Sequence, residues 1–332
     1  DVDWLGDIIA AERARGTTVV FISHRLREVR AFCDTLTVLR NGRNVVSGPV
    51  SGFDDEELIR QIVGRSIGKS FPPRPATRAD AGARPVVFEC RNLSAGRARG
   101  VTFQLRRGEI LGVAGLQGMG QLDLVLACYG MAEVTGGGLA VDGRPVVITS
   151  PTDAVRARVG LSLLPEDRKT EALILGLTGL ANASLPVIGR FARRGLIDEA
   201  AERQDVAAAF DRVDVDRRAI FTRAGAFSGG NQQKIAIAKW LLAGSRMLIL
   251  YDPTRGIDVG TKHELYRLMH DYATAGGAIL FYSTEIPELI HLADRVLVMY
   301  QGRVAEEVSG ADLTEEHILA TALGGAPRVL SA

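Results

Sequence analysis

The chain has 332 residues, 46% hydrophobic and 24% charged, the balance of ordinary folded protein with room for about two domains. Forty basic side chains against 39 acidic ones leave a formal net charge of +1, which argues against a polyanion-binding surface and a nucleic-acid partner. No run approaches the roughly 18 apolar residues of a membrane span, and the first residues lack the charged-then-apolar pattern of a secretory signal.

The elements in chain order reveal a repeat. Gly16–Arg43 recurs without a gap as Gly276–Arg303, with Gly16, Phe21, Ser23, Glu28, Asp34, Val38 and Gly42 reappearing as Gly276, Phe281, Ser283, Glu288, Asp294, Val298 and Gly302. Each block reads as a short buried strand (Val19–Ile22, Ile279–Tyr282), a turn, a helix, then a second strand closed by a Gly turn. This predicts two related domains in tandem. The first is expected to be only a C-terminal remnant, residues 1–65, and the absence of an initial Met suggests a start inside a longer polypeptide. Residues 66–85, with Pro72, Pro73, Pro75 and Pro85, read as a linker. Residues 86–325 read as a whole α/β domain in which strands alternate with helices, as at 110–114, 122–127, 159–163 and 247–250, and 326–332 as a tail. Cys33, Cys90 and Cys128 are too far apart for a metal and are expected to be reduced, partly buried thiols of a cytosolic protein. His263, His270, His291 and His317 are expected on helix surfaces.

Three stretches carry chemistry. Ile110–Ala114 runs into Gly115, Gly118 and Gly120 and then into a helical pattern. Glycines in that layout let backbone N–H groups converge on phosphate oxygens at a helix N-terminus. A full phosphate loop also needs Lys and then Ser or Thr, where this chain has Gln121 and Leu122, so alone the stretch reads equally as a tight strand-to-helix turn. Next, Ser228-Gly229-Gly230-Asn231-Gln232-Gln233-Lys234 opens a helix ended by Gly244 and offers a hydroxyl, bare N–H groups and a positive dipole end to an anion; it reads equally as a generic cap. Finally, Met247–Tyr251 is a buried strand delivering Asp252 at its C-terminal end, before Pro253-Thr254-Arg255-Gly256-Ile257-Asp258.

In this order the three stretches resemble the nucleotide-binding subunits of ATP-binding-cassette (ABC) transporters, over nearly the whole chain. The motifs at 228–234 and 253–260, with Glu166-Asp167-Arg168-Lys169, are similar to those of the tandem ATPases of simple-sugar importers of the ribose, galactose and xylose type. The resemblance implies a P-loop NTPase fold and two cassettes facing head to tail. Each ATP, with Mg²⁺, would lie between the loop and acidic strand of one cassette and the Ser-Gly-Gly signature of the other. It implies that His24 is a catalytic switch residue and Asp252 stands at the general-base place. Gly115, Gly118, Gly120, Gln121, Ser228, Gly229, Gly230, Gln232 and Asp258 would bind nucleotide. Glu166, Asp167 and Arg168 would form a coupling loop against the membrane subunit.

The resemblance also exposes what is missing. The second cassette's own site has Gln121, Leu122, Tyr251 and Thr284 where the family has the lysine, the Mg²⁺-binding hydroxyl, the metal-holding acid and the switch histidine, so it is expected to be degenerate. One productive site would then use His24 and the signature. The implied partners are integral membrane permease subunits, a facing cassette and, indirectly, a periplasmic-type sugar-binding protein, with the chain peripheral on the cytoplasmic face of the membrane. A nucleoside importer, or a non-catalytic module, is the alternative.

Overall fold

The structure is a computed structural model and describes residues 2–23, 26–40, 43–54, 58, 61, 71–72, 84–156 and 158–324. The chain divides into two units, Asp1–Pro72 with Ile257–Glu264, and Pro73–Gly256 with Leu265–Ala332. The expected tail and most of the expected linker lie outside the described residues.

In the first unit, helices Val2–Ala14 and Leu26–Phe32 accompany a hairpin of β1 (Thr35–Arg40) and β2 (Arg43–Pro49). Phe21 meets Phe32 edge to face at 5.6 Å, and Leu58 is buried. The strand expected at Val19–Ile22 is not formed, and Val20 and Ile22 are 85% and 94% exposed. An apolar run becomes a buried strand only when neighbouring strands take up its backbone groups, and among the described residues this run has none.

The second unit opens with β3 (Val86–Ala95), β4 (Ala98–Arg106) and β5 (Ile110–Ala114). It continues through helix Gln121–Cys128, β6 (Gly136–Val141), β7 (Arg144–Val146) and β8 (Leu161–Leu164). Between β8 and the next long strand lie helices Gly179–Ser184, Glu199–Arg212 and Gly229–Leu242 and a short ribbon of β9 (Ala192–Arg193) and β10 (Leu196–Ile197). Then follow β11 (Met247–Tyr251), helix Val259–Thr274, β12 (Ala278–Tyr282), helix Ile286–Leu292, β13 (Arg295–Tyr300), β14 (Arg303–Ser309) and helix Glu315–Ala322.

Six strands form one sheet in the order β14-β13-β5-β12-β11-β8, parallel except for β14 at its edge. A second, antiparallel sheet runs β4-β3-β6-β7. Every residue of β5, β8, β11 and β12 is buried, which is why these strands read as unbroken apolar runs. Phe88, Leu93, Leu111, Leu124, Leu161 and Leu280 contribute to a core that joins both sheets and helix Gln121–Cys128. Cys90 and Cys128 are buried in that core as free thiols, and Cys33 is half-buried. His270, expected on a surface, is buried, because it lies on the inward stripe of its helix with Tyr266 and Met269.

This topology places the site. Parallel strands present their C-terminal ends together, so the loops after β5, β8, β11 and β12 converge at one edge of the sheet. They carry Gly115–Gly120, Glu166–Arg168, Asp252–Gly256 and Ser283–Thr284.

Candidate functional site

The loop after β5 has the geometry of a phosphate cradle but is filled from within. Gly115, Gly118 and Gly120 all have positive φ, and Gly120 leads directly into helix Gln121–Cys128. Gln121 is buried, and its amide Nε2 donates to the Leu116 carbonyl at 3.0 Å. A Cβ on Gly115 would stand 2.4 Å from that nitrogen, so the amide lies in the space the glycine leaves open. The guanidinium of Arg97, from the β3–β4 turn, donates to the Gly118 carbonyl at 3.1 Å. Leu122, at the place of the metal-binding hydroxyl, is half exposed.

The acidic strand is altered in the same sense. Tyr251 ends β11 and stacks on Tyr282 with ring centroids 4.5 Å apart. Burial first, then the neighbouring Tyr282 and Asp252, push the Tyr251 phenol up, so it stays protonated and offers no anionic oxygen. Asp252 is buried, at φ +48°, a strained left-handed backbone for a residue with a Cβ. Thr284 engages its carboxylate twice, through the backbone N–H at 3.3 Å and the hydroxyl at 3.0 Å. Asp252 and Thr284, at the family's general-base and switch places, are therefore adjacent and bonded to each other. A neutral amide, a leucine, a protonated tyrosine and a carboxylate already bonded by Thr284 do not fit Mg²⁺, which takes carboxylate, hydroxyl and water oxygens. Among the described residues no cluster of His, Cys, Asp or Glu could hold a metal ion.

The Ser-Gly-Gly turn is exposed at Ser228 and buried at Gly230. Ser228 caps helix Gly229–Leu242, with its hydroxyl oxygen accepting from the Asn231 N–H at 3.5 Å and from the Asn231 side-chain amide at 3.4 Å, both long bonds. The first N–H groups of a helix have no intrahelical partner and carry the positive end of its dipole. Gln232 is buried, and its amide donates inward to the carbonyls of Ala224 and Phe227, holding the approach to the turn. Gln233 donates to the Pro253 carbonyl at 2.7 Å and ties this helix to the loop after β11. Asp258 is exposed and caps the next helix, accepting from the Thr261 N–H at 3.0 Å and its hydroxyl at 2.8 Å.

The loop after β8 divides its charges. Glu166 pairs with Arg255, Asp167 is exposed, and Arg168 is buried. The Asp167 carboxyl is held below its usual range by the Thr170 hydroxyl and then by the Lys169 N–H. His24 lies outside the described residues.

Residues 98–255 match the family model described as ABC transporter. The ribose import ATP-binding protein RbsA 1 of Rhizobium johnstonii is 44% identical over 324 residues, covering 97% of this chain and 63% of that protein. An ABC transporter domain is thus present at residues 98–255. The xylose import ATP-binding protein XylG of Burkholderia ambifaria is 41% identical over 331 residues, covering 97% of the chain and 62% of that protein. The chain thus spans less than two thirds of the length of these relatives. Among solved structures, a nucleotide-free ATP-binding cassette from an ABC transporter matches with a TM-score of 0.60 at 16% identity, covering 74% of this chain and 98% of that one. The Clostridium perfringens cbiO1 protein, part of an ABC transporter complex, matches with a TM-score of 0.59 at 20% identity, covering 74% and 97%. Both likenesses are of fold.

Three residues hold the loops of this cassette together at the site through contacts that no motif announces. Glu288 is fully buried and accepts from the hydroxyls of Thr254 at 2.9 Å, Tyr266 at 2.6 Å and Ser283 at 2.7 Å, pinning the loops after β11 and β12 to each other. The recurrence of Ser283 and Glu288 as Ser23 and Glu28 was the available clue, and Ser23 donates to Glu28 at 2.9 Å in the first unit. Gln233 stood in the 228–234 motif and Arg168 in the expected coupling loop.

Proposed function

We propose that this chain is an ATP-binding subunit that energises import of a simple sugar through an ABC transporter, and that its intact signature completes a nucleotide site on a facing cassette. The observation that carries this reading is the asymmetry inside residues 86–325. Ser228 is exposed at the start of its helix with the Arg168 cation beside Gly229, while the loop at 115–120 is occupied by the neutral Gln121 amide. The sugar is taken from the names of the ribose and xylose import relatives.

In this mechanism ATP and Mg²⁺ are held by the loop and acids of the facing cassette. Ser228 and the N–H groups of Gly229 and Gly230 close on the phosphates from this side. Donors fixed before reaction stabilise developing charge without reorganisation, and losing one such donor typically costs about 10²–10³ in rate. The chain's own loop contributes architecture and no turnover. His24 would act at the composite site. The Glu166-Asp167 loop would face permease subunits at the cytoplasmic side of the membrane. Among the described residues no helix is long and apolar enough to cross a membrane, so the span belongs to those partners in this reading.

The test is steady-state phosphate release. The isolated chain is expected to release phosphate no faster than buffer, and the chain assembled with an intact facing cassette and permease to turn over ATP in a Ser228-dependent way. Rapid Mg²⁺-dependent hydrolysis by the isolated chain overturns the composite-site reading. Recovery of the chain with ribosomes instead of detergent-solubilised membrane proteins overturns the importer reading.

A further inference from the structure

We infer that Arg168 is a positioning residue of the Ser-Gly-Gly turn, its buried guanidinium lying beneath Gly229 and preparing that turn for a phosphate. The inference rests on the composite-site reading above and adds a residue to it. Arg168 is 8% exposed, and its Nε has no hydrogen-bond partner. Its two terminal nitrogens reach the carbonyls of Arg255 and Gly256 at 3.4 and 3.5 Å, both long for a hydrogen bond. No carboxylate forms an ion pair with it among the described residues. A Cβ on Gly229 would stand 2.4 Å from Nη2 and 3.3 Å from Cζ, so the glycine admits the guanidinium to the first turn of helix Gly229–Leu242.

Physical chemistry makes this placement costly without a further charge. Burial pulls the Arg168 pKa down, with Asp167 opposing it, yet a guanidinium stays charged throughout the working pH range. A buried cation with an unsatisfied donor is expensive, and here it sits against a helix N-terminus of like sign. An arriving phosphate supplies the missing negative charge and repays both at once. Arg168 also touches the Arg255-Gly256 turn, and Arg255 pairs with Glu166. The loop after β8, the loop after β11 and the signature are therefore joined through one side chain, which gives the phosphate contact a route to the Glu166-Asp167 loop.

The experiment uses the complete transporter and measures kcat, KM for MgATP and Tm. Arg168→Gln is expected to lower kcat by about 10–100-fold while KM changes by less than about threefold, because the contact acts in the transition state. Arg168→Lys, which keeps the charge, is expected to recover part of that loss. Gly229→Ala displaces the guanidinium, so the double variant Gly229→Ala/Arg168→Gln is expected to be no slower than the slower single variant. If Arg168→Gln lowers Tm, the lysine variant decides: activity as poor as the glutamine variant's, at wild-type Tm, overturns the inference. Turnover within about twofold of wild type for Arg168→Gln, alongside a large loss for Ser228→Ala, overturns the role of Arg168 and leaves the composite site standing. Full activity of Ser228→Ala overturns both.

Discussion

The two glycine turns of residues 86–325 begin alike and end differently. Both stand at a helix N-terminus, one after β5 and one before helix Gly229–Leu242. In the first, Gln121 bends into the cradle and bonds the Leu116 carbonyl, and Tyr251 and Tyr282 stack at the neighbouring strand ends. In the second, Ser228 is exposed and a buried cation, Arg168, lies underneath. Glycine spacing makes a backbone shape that can receive a phosphate. The side chains at a few fixed places decide whether the shape stays open.

The two turns differ most in their expected effect on turnover. Ser228→Arg in the assembled transporter is expected to cut ATP hydrolysis by about 10²–10³-fold, whereas Gln121→Ala changes it by less than about twofold. The reverse order, read from phosphate release, would transfer the chemistry to the loop after β5.

The signature helix also holds a buried cation of its own. Lys239 is buried there, donates to the Ala172 carbonyl at 2.6 Å and lies over the Trp240 ring at 4.4 Å. Burial lowers its pKa from 10.5 to about 8. Between those values the unfolded chain holds the proton and the folded chain releases it, so this lysine makes stability rise with pH across that window. Relative to Lys239→Met, wild type is expected to gain up to about 3 kcal/mol between pH 8 and pH 10.5 in urea unfolding. A pH-independent gap between the two would contradict the burial argument.

Restoring the closed loop is the third way in. Gln121→Lys, Leu122→Thr and Tyr251→Asp together return the cation, the hydroxyl and the acid. The isolated triple variant is expected to bind a fluorescent ATP analogue with Mg²⁺ about tenfold more tightly than wild type. Equal affinity would mean that the backbone cradle, too, has lost its shape. The smallest effect belongs to Thr284→Val, which removes the hydroxyl bond to Asp252. It is expected to cost about 1 kcal/mol in chemical denaturation and to leave turnover in the assembled transporter unchanged.

The repeat shows how far local sequence reaches. β1 pairs with β2 from Thr35↔Pro49 to Arg40↔Arg43, and β13 with β14 from Arg295↔Ser309 to Tyr300↔Arg303. Both hairpins shift register at the corresponding place, Val38/Leu39 and Val298/Met299. The Ser–Glu bond precedes each hairpin, at 2.9 Å and 2.7 Å. The register shifts and the Ser–Glu bonds come from the structure, whereas the second strand of each block and the Gly turn that closes it were legible in the sequence. Burial was not. Leu280 and Tyr282 are 2% and 3% exposed because β12 lies between β5 and β11, while Val20 and Ile22 border a cavity of about 900 Å³ that also reaches β1.

Sequence by itself determined the strand runs of residues 86–325, the glycine turns, the repeat and the four altered places at 121, 122, 251 and 284, because each is a matter of residue type at a fixed spacing. It could not say that Gln121 folds inward, that Thr284 bonds Asp252, that Glu288 gathers three hydroxyls, or that Arg168 reaches Gly229. Those contacts join residues up to dozens of positions apart, brought to one edge of the sheet by parallel strands. Only the tertiary structure decides which of two polar side chains meets a partner, because burial makes an unmet hydrogen bond or charge costly and so selects the arrangement.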